Sequence, residues 1–445
     1  MSSLLLIGCA GATVLGVFVA ALISLIPGLH IYNVIAITML VYFAIMDAMS
    51  GMDPLLMTSF LLGMVVAFSM LFTVSSQYFQ PTDESFRSLV LPHERFLLEG
   101  RAHEAVLLAG VGSLVALYAI VFLLPVMIDP IMTFSRLLQP HHYWIVMTVI
   151  AFVLMTEWPK DHGVGWTAAQ RLQDGWVQLL MGYFSFIGAG ILGIVVFNRT
   201  LVPLDASFQS LMPLFVGLFA IPTYIMTFLT ETRVPSQHHC NSVEIQDLDI
   251  PRGSLSGLLA GIFAAMNPGL TPGPTLLMTG HITAQSGERQ FLIGGGAGRL
   301  MYYVGALVLF FLPGVYLRRG GAAINISLFF VPETEAQFHV ITMVIALSGA
   351  LSFLMLDRFS LVCARLVALI PYKFFSAVGL VLLTYLVYRV TGPEGLTIMG
   401  AATILGVVPN VWHTRRINLL AVLLVPIALN MGGYGPAVAK IFALY

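Results

Sequence analysis

The chain has 445 residues, of which 58% are hydrophobic and only 9% are Asp, Glu, Lys or Arg. A soluble domain carries roughly 25% charge, whereas here 20 basic residues stand against 21 acidic ones, for a formal net charge of -1. This excludes a soluble enzyme, a disordered chain and a nucleic-acid binder, which needs a basic surface for phosphate; with a mean hydropathy of +0.92, the chain belongs in a bilayer and must cross it many times.

A spanning helix needs about 20 mostly apolar residues to cross a hydrocarbon layer of about 30 Å. In chain order, apolar runs lie near 3–24, 31–50, 54–78, 105–126, 143–157, 176–197 and 207–230. They resume near 253–266, 290–317, 338–356, 366–390, 394–410 and 416–438. Several are too short for a plain crossing, so roughly ten to twelve spans with re-entrant pieces are expected. The runs are continuous rather than alternating, which argues against a β-barrel. The first contains Leu6-Ile7-Gly8-Cys9, similar to a lipoprotein cleavage box, but no Lys or Arg precedes it and apolar sequence follows. It reads as an uncleaved helix. Cys9, Cys240 and Cys363 share no metal-ligand spacing and no disulfide framework.

Several motifs recur in the same order. Pro27-Gly28-Leu29 and Pro268-Gly269-Leu270 each interrupt an apolar run. Glu94-Arg95-Phe96-Leu97 parallels Glu288-Arg289-Gln290-Phe291, and both are followed by apolar stretches ending at Pro125 and Pro313. The segment 145–151 parallels 340–346, and Tyr183-Phe184-Ser185 parallels Phe374-Phe375-Ser376. These matches imply two homologous halves, 1–230 and 253–445, joined by a polar linker, 231–252, that carries His238, His239, Glu244, Asp247 and Asp249. The expected fold is an all-α polytopic membrane protein with two repeats of roughly five to six helices each, containing Pro-Gly-broken or re-entrant helices, as in secondary transporters. Whether the repeat is inverted depends on the parity of the helix count.

Proline followed by glycine cannot continue a helix without freeing backbone groups, which cost several kcal/mol each in lipid unless protein, water or ligand satisfies them. The breaks therefore suit a buried or wet cavity, and a half-helix N-terminus suits carboxylate or phosphate. The candidate substrate-binding residues here are Pro27, Gly28, His30, Asn33, Asn267, Pro268, Gly269 and Thr271. The competing reading is a kink that improves packing. Arg299 follows the run Gly294-Gly295-Gly296-Ala297-Gly298 in apolar sequence. The glycines suit close helix packing, and an arginine at membrane depth is a functional candidate, either an anion contact or a structural ion pair. Arg101, beside Glu99 in the charged island 80–104, abuts the next apolar run and is a further candidate. His413, Arg415 and Arg416 read foremost as a cationic cluster that fixes topology.

The histidine pairs His141-His142 and His238-His239 are adjacent in sequence and make poor helical metal sites. No zinc-protease helix or nucleophile elbow is present. No enzyme activity, metal or cofactor is expected beyond a coupling ion, Na+ or H+; acidic residues in apolar runs are few, with Asp47 and Asp53 near a helix end.

Taken together, Leu25-Ile26-Pro27-Gly28-Leu29-His30, the segment 91–101, Asn267-Pro268-Gly269 and the region 406–426 around His413-Thr414-Arg415-Arg416 carry a likeness. Through them the chain resembles the tripartite tricarboxylate transporter permease (TctA) family, and its shorter archaeal-type relatives in particular. The resemblance implies a multi-pass secondary carrier of the inner (plasma) membrane, driven by an ion gradient and taking up organic anions such as citrate. It also implies a small membrane subunit and a periplasmic binding protein as partners, and it carries over the breaks Pro27-Gly28 and Pro268-Gly269. The leading expectation is thus a permease for a carboxylate-type anion, working by alternating access at two broken helices. The alternatives are a lipid-carrier translocase moving a polyprenyl phosphate or similar anionic lipid, and a non-transporting membrane docking subunit. The lipid bilayer is a partner in every case; nucleic acid is not.

Overall fold

In hydrocarbon, each backbone N–H and C=O must find a partner inside the protein, which a helix supplies within its own segment. The computed structural model is accordingly helical, with no β-strand among the described residues. It describes residues 2–26, 29–45, 52–79, 90–123, 125–157, 167–199, 201–202, 210–229, 234–312, 317 and 320–444.

The helices are α1 (Ser3–Ser24), α2 (Ile31–Ile45), α3 (Pro54–Phe79), α4 (Val90–Leu98), α5 (Ala102–Tyr118, continued by a π-turn at Ala119–Leu123) and α6 (Ile128–Leu138). Then come α7 (His142–Met155), α8 (Ala168–Asn198), α9 (Leu211–Phe215), α10 (Ile221–Leu229), α11 (Asp249–Met266) and α12 (Pro272–Ile282). The chain ends in α13 (Glu288–Phe311), α14 (Gly321–Ile326), α15 (Glu335–Leu369), α16 (Tyr372–Val411), α17 (Ala421–Met431) and α18 (Gly435–Ile441).

Nine helical stretches among the described residues are long and apolar enough to cross a membrane, and a tenth results if α17 and α18, bent by 116°, form one broken span. This is fewer than the apolar runs suggest, for local reasons. Of the run at 31–50, the described part is the 15-residue α2, and α12 has 11 residues. The runs at 366–390 and 394–410 fuse into α16, whose backbone turns at Gly392 (φ 70°) just before Pro393.

The chain divides into two compact units, one made of Met1–Arg136 and Thr232–Phe375, the other of Leu137–Glu231 and Ser376–Tyr445. Each draws on both sequence halves. The expected linker is only partly a linker: its last four residues are the first turn of α11, and 234–240 lies against the α4–α5 turn through bonds such as His238 N–H to Gly100 O at 2.8 Å.

In the first unit, α13 is the most enclosed of the long helices. It packs along α11 and crosses α5, while α3 packs along α1 and against α15. The α5–α13 crossing needs glycine on both sides. A Cβ on Gly112 would stand 1.9 Å from Ile293 O, and one on Gly296 would stand 1.8 Å from Ala109 O. The glycine run before Arg299 is thus a packing device, which brings two backbones together as small residues do in membranes. In the second unit α17 packs on α8 and α7, and α8 starts with a capping box between Thr167 and Gln170.

The packing also bears on the motif matches. Glu94-Arg95 lies in α4, ahead of α5, whereas Glu288-Arg289 opens α13; residues 145–151 lie in α7 of the second unit and 340–346 in α15 of the first. These matched segments therefore sit in elements with different packing partners. Acid–base pairs at helix starts and β-branched apolar strings recur in any membrane helix, so such short matches do not fix which helix corresponds to which.

Gly112→Ala and Gly296→Ala are each expected to destabilise the protein by about 1–3 kcal/mol through overpacking. Gly11→Ala, inside α1 where a Cβ meets nothing within 4 Å, should be neutral or stabilising by up to about 1 kcal/mol. Thermal unfolding in detergent measures all three.

Candidate functional site

Pro27 and Gly28 lie outside the described residues, and the first break is seen from His30 onward. The Tyr32 N–H donates to His30 Nδ1 (3.2 Å), and His30 Nε2 is 3.0 Å from the Tyr303 hydroxyl on α13. Because Nδ1 accepts, the ring proton sits on Nε2 and points at Tyr303. Asn33 occupies the first turn of α2, its N–H bonded to His30 O at 3.0 Å. The His30 ring also packs edge-on to Tyr32 and tilted against Phe68 of α3.

From this break a file of polar and aromatic groups follows the contact of α3 with α13. Phe68 stacks on Phe72 with ring centroids 4.7 Å apart. The Arg299 guanidinium stands 5.6 Å from the Phe72 ring centre, and its Nη1 donates to Thr73 Oγ1 at 2.9 Å. Arg299 is only 3% exposed and lies one helical turn before Tyr303. One turn beyond Thr73, Gln77 donates from Nε2 to His93 O (2.8 Å) and accepts from His93 Nδ1. Burial, reinforced by the nearby Arg299 charge, pushes the His93 imidazole down to about 3, so His93 is neutral at physiological pH and leaves the positive charge to Arg299.

The second break is fully described. Asn267 ends α11, and both its backbone N–H (3.2 Å) and its Nδ2 (2.7 Å) bond to Phe263 O. Pro268 then stops the helix, and Gly269 turns the chain with φ +74°, a conformation that favours glycine. Thr271 is the N-cap of α12 without a side-chain capping bond; it is 9% exposed, and its Oγ1 is buried without a hydrogen-bond partner. Its carbonyl accepts from Thr275 Oγ1 at 3.1 Å. The open amides expected at this helix start are fewer than the sequence suggests. Pro272 and Pro274 have no N–H, so Gly273 is the one donor in the first three positions of α12. The α12 N-terminus thus offers its dipole, one amide and one hydroxyl.

Arg101 sits apart from this file. It forms a two-toothed pair with Glu104 (2.9 and 3.0 Å) and a third bond to Glu99 (2.9 Å), and stands 4.5 Å over the Phe96 ring. Glu104 also takes Arg289 (3.2 Å), and Arg95 joins Glu99 (2.9 Å) to Glu288 (2.8 Å). This network ties the heads of α5 and α13 together.

The second unit holds a group that the sequence reading passed over. Glu157, just past α7, is 4% exposed. Its Oε1 accepts from the Arg415 N–H (3.0 Å) and its Oε2 from Asn418 Nδ2 (2.8 Å), while Asn418 Oδ1 is buried without a partner. Burial raises the carboxyl above its usual range, against the two donors, which lower it. The signal was a single acid at the end of an apolar run. Arg416, in the same segment, bonds to Thr223 Oγ1 at 3.3 Å. A cavity of about 300 Å³ also lies in this unit, beside Asn198, Arg199, Ser210 and Ile398; no residue selected from sequence lines it.

Comparison with known proteins places this geometry in context. The model of the tripartite tricarboxylate transporter TctA family matches residues 11–421. An uncharacterized protein of the archaeon Methanocaldococcus jannaschii is 24% identical over 436 residues, covering 94% of this chain and 97% of its own length. No solved structure matches.

The raised Glu157 carboxyl fixes the sign of a pH effect. The folded state holds this proton more tightly than the unfolded chain, so its contribution is most favourable below the ordinary carboxylate value and declines as pH rises through the raised one. Thermal midpoints measured against pH should therefore fall across that window. Glu157→Gln should flatten the slope, because an amide does not titrate, and should keep the site paired, because it can donate to Asn418 Oδ1 once the Asn side chain turns. Glu157→Leu should lower the midpoint at every pH, because it strands two buried donors.

Proposed function

The chain belongs to the tripartite tricarboxylate transporter TctA family, and from that premise we propose that this multi-pass membrane protein is an inner-membrane permease for a carboxylate-type organic anion. The observation that carries the reading is Arg299, a permanent cation buried at the contact of α3 with α13 within one turn of Tyr303, the residue that takes His30 beside the first break. A charged side chain inside a span is costly and marks a functional position by default. The α12 N-terminus adds a second positive feature with a buried hydroxyl, Thr271. A substrate with several carboxylates suits both, since arginine binds carboxylate in a bidentate way and a helix start binds it by dipole and N–H.

Turnover proceeds by alternating access, as one part of the protein moves relative to the other. The duplication behind it pairs α1, α2, α3 and α5 with α11, α12, α13 and α15, an order supported by the parallel packing of α1 on α3 and α11 on α13, and of α15 on α3 and α5 on α13. Of the two coupling ions, the proton is favoured by Glu157, a buried carboxyl that burial makes hold its proton more readily than an ordinary carboxylate does. A small membrane subunit and a periplasmic binding protein complete the system in this reading, which the word tripartite in the family's description supports.

In proteoliposomes, citrate counterflow serves as the probe. Arg299→Gln should reduce it by about tenfold or more, the value of a buried charged hydrogen bond of about 1.5–3 kcal/mol, with partial rescue in Arg299→Lys. Wild-type exchange by a normally inserted Arg299→Gln protein would refute the assignment. Glu157→Gln should lose the acceleration of net uptake by an imposed pH gradient while counterflow persists; undiminished pH drive in this variant would remove Glu157 from the coupling path, and a wild type driven by a Na+ gradient but not by a pH gradient would transfer coupling to Na+.

A further inference from the structure

The strongest feature outside the proposed transport site joins three distant segments of the first unit. His103 lies in the first turn of α5, His239 in the extended stretch after the first half, and Asp357 on α15. One ligand atom from each falls within 4.8 Å of the others. His103 Nε2 is 3.3 Å and His239 Nε2 is 3.9 Å from Asp357 Oδ1, and the two imidazole rings lie 4.8 Å apart at 31°. We propose that His103, His239 and Asp357 bind a divalent transition-metal ion of the zinc class.

His103 keeps its second nitrogen uncommitted. The residue is 1% exposed, and Nε2 is buried without a hydrogen-bond partner although the carboxylate is close. Leaving such an atom unsatisfied costs about 1–3 kcal/mol, and a metal ion between the imidazole and the carboxylate removes that cost. The other nitrogen is already committed. His103 Nδ1 is 2.9 Å from Ser360 Oγ, which is 3.0 Å from the Tyr78 hydroxyl, and Tyr372 bonds in turn to the Tyr78 carbonyl. A histidine that holds an outer partner through one nitrogen and presents the other is oriented as metal-ligating histidines are.

His239 is held in place by its own segment. Gln237 accepts from the Ala102 N–H (3.1 Å) and donates to Leu97 O (2.9 Å), and the His238 N–H bonds to Gly100 O (2.8 Å). These bonds lay the stretch across the α4–α5 turn. The side chains of His239 and Asp357 are 45% and 46% exposed, so an ion can enter from water and keep water at its remaining positions. Arg358 stands 3.8 Å from the other carboxylate oxygen, Oδ2, and leaves Oδ1 to the histidines. Two imidazoles and one carboxylate suit Zn2+, Co2+ or Ni2+ rather than Mg2+ or Ca2+. The ion would clamp the stretch between the halves to both α5 and α15.

The test uses the full-length, tag-free protein in detergent, with Co2+ as a spectroscopic probe and Zn2+ as competitor. One equivalent of Co2+ should bind with the d–d absorption of a nitrogen–oxygen site, be displaced by Zn2+, and raise the thermal midpoint. His239→Ala at an exposed position and Asp357→Asn at a half-buried one should each weaken binding by about tenfold or more and lose the metal-induced shift, while Cys240→Ser should bind as wild type does. Absence of stoichiometric Co2+ binding would overturn the proposal, as would unchanged affinity in both variants. Loss of binding in Cys240→Ser with retention in Asp357→Asn would overturn the ligand set.

Discussion

Everything in the first unit depends on how closely α13 can approach its neighbours. An arginine can be kept inside a membrane protein only if the surrounding helices exclude lipid and present polar or aromatic groups to it. The reciprocal glycine contact of α5 with α13, with Gly112 against Ile293 and Gly296 against Ala109, draws the backbones together and seals that side. On the other side α3 supplies Thr73 and Phe72. One crossing thus sets the company of Arg299, and through Tyr303 it also anchors His30 beside the first break.

The breaks use the same physics differently. At Asn267 the side-chain amide folds back onto its own helix end, so this residue mostly satisfies the interruption it sits in. Thr271 does the opposite and leaves a hydroxyl without a partner at the next helix start. The prolines that make α12 begin sharply also remove amides that a helix start otherwise leaves open, so few donors remain there. Charge divides in a similar way: Arg101 is absorbed in a network that joins two helix heads, whereas Arg299 is buried in the core.

Much of the fold was legible in the sequence, because apolar run length reports on span length directly. Class, membrane character and both interruptions could be read in this way, and Arg299 stood out as a charge inside an apolar run. What surrounds these residues was not legible. Asn418 reaches Glu157 across 261 positions, and Tyr303 reaches His30 across 273; no local period encodes such pairs. Along one segment, the adjacency of His238 and His239 argues against shared ligation. In space only His239 turns toward His103 and Asp357, so the relevant spacing is between segments.

The way the chain weaves between its two units has a consequence for biosynthesis. Translation delivers Met1–Arg136 first, then Leu137–Glu231, and only afterwards Thr232–Phe375, which completes the earlier unit. Helices α3 and α5 therefore emerge long before α13 and α15 exist to cover their polar and glycine-lined faces. During that interval the first bundle is unfinished, and a premature stop anywhere before residue 375 leaves neither unit complete.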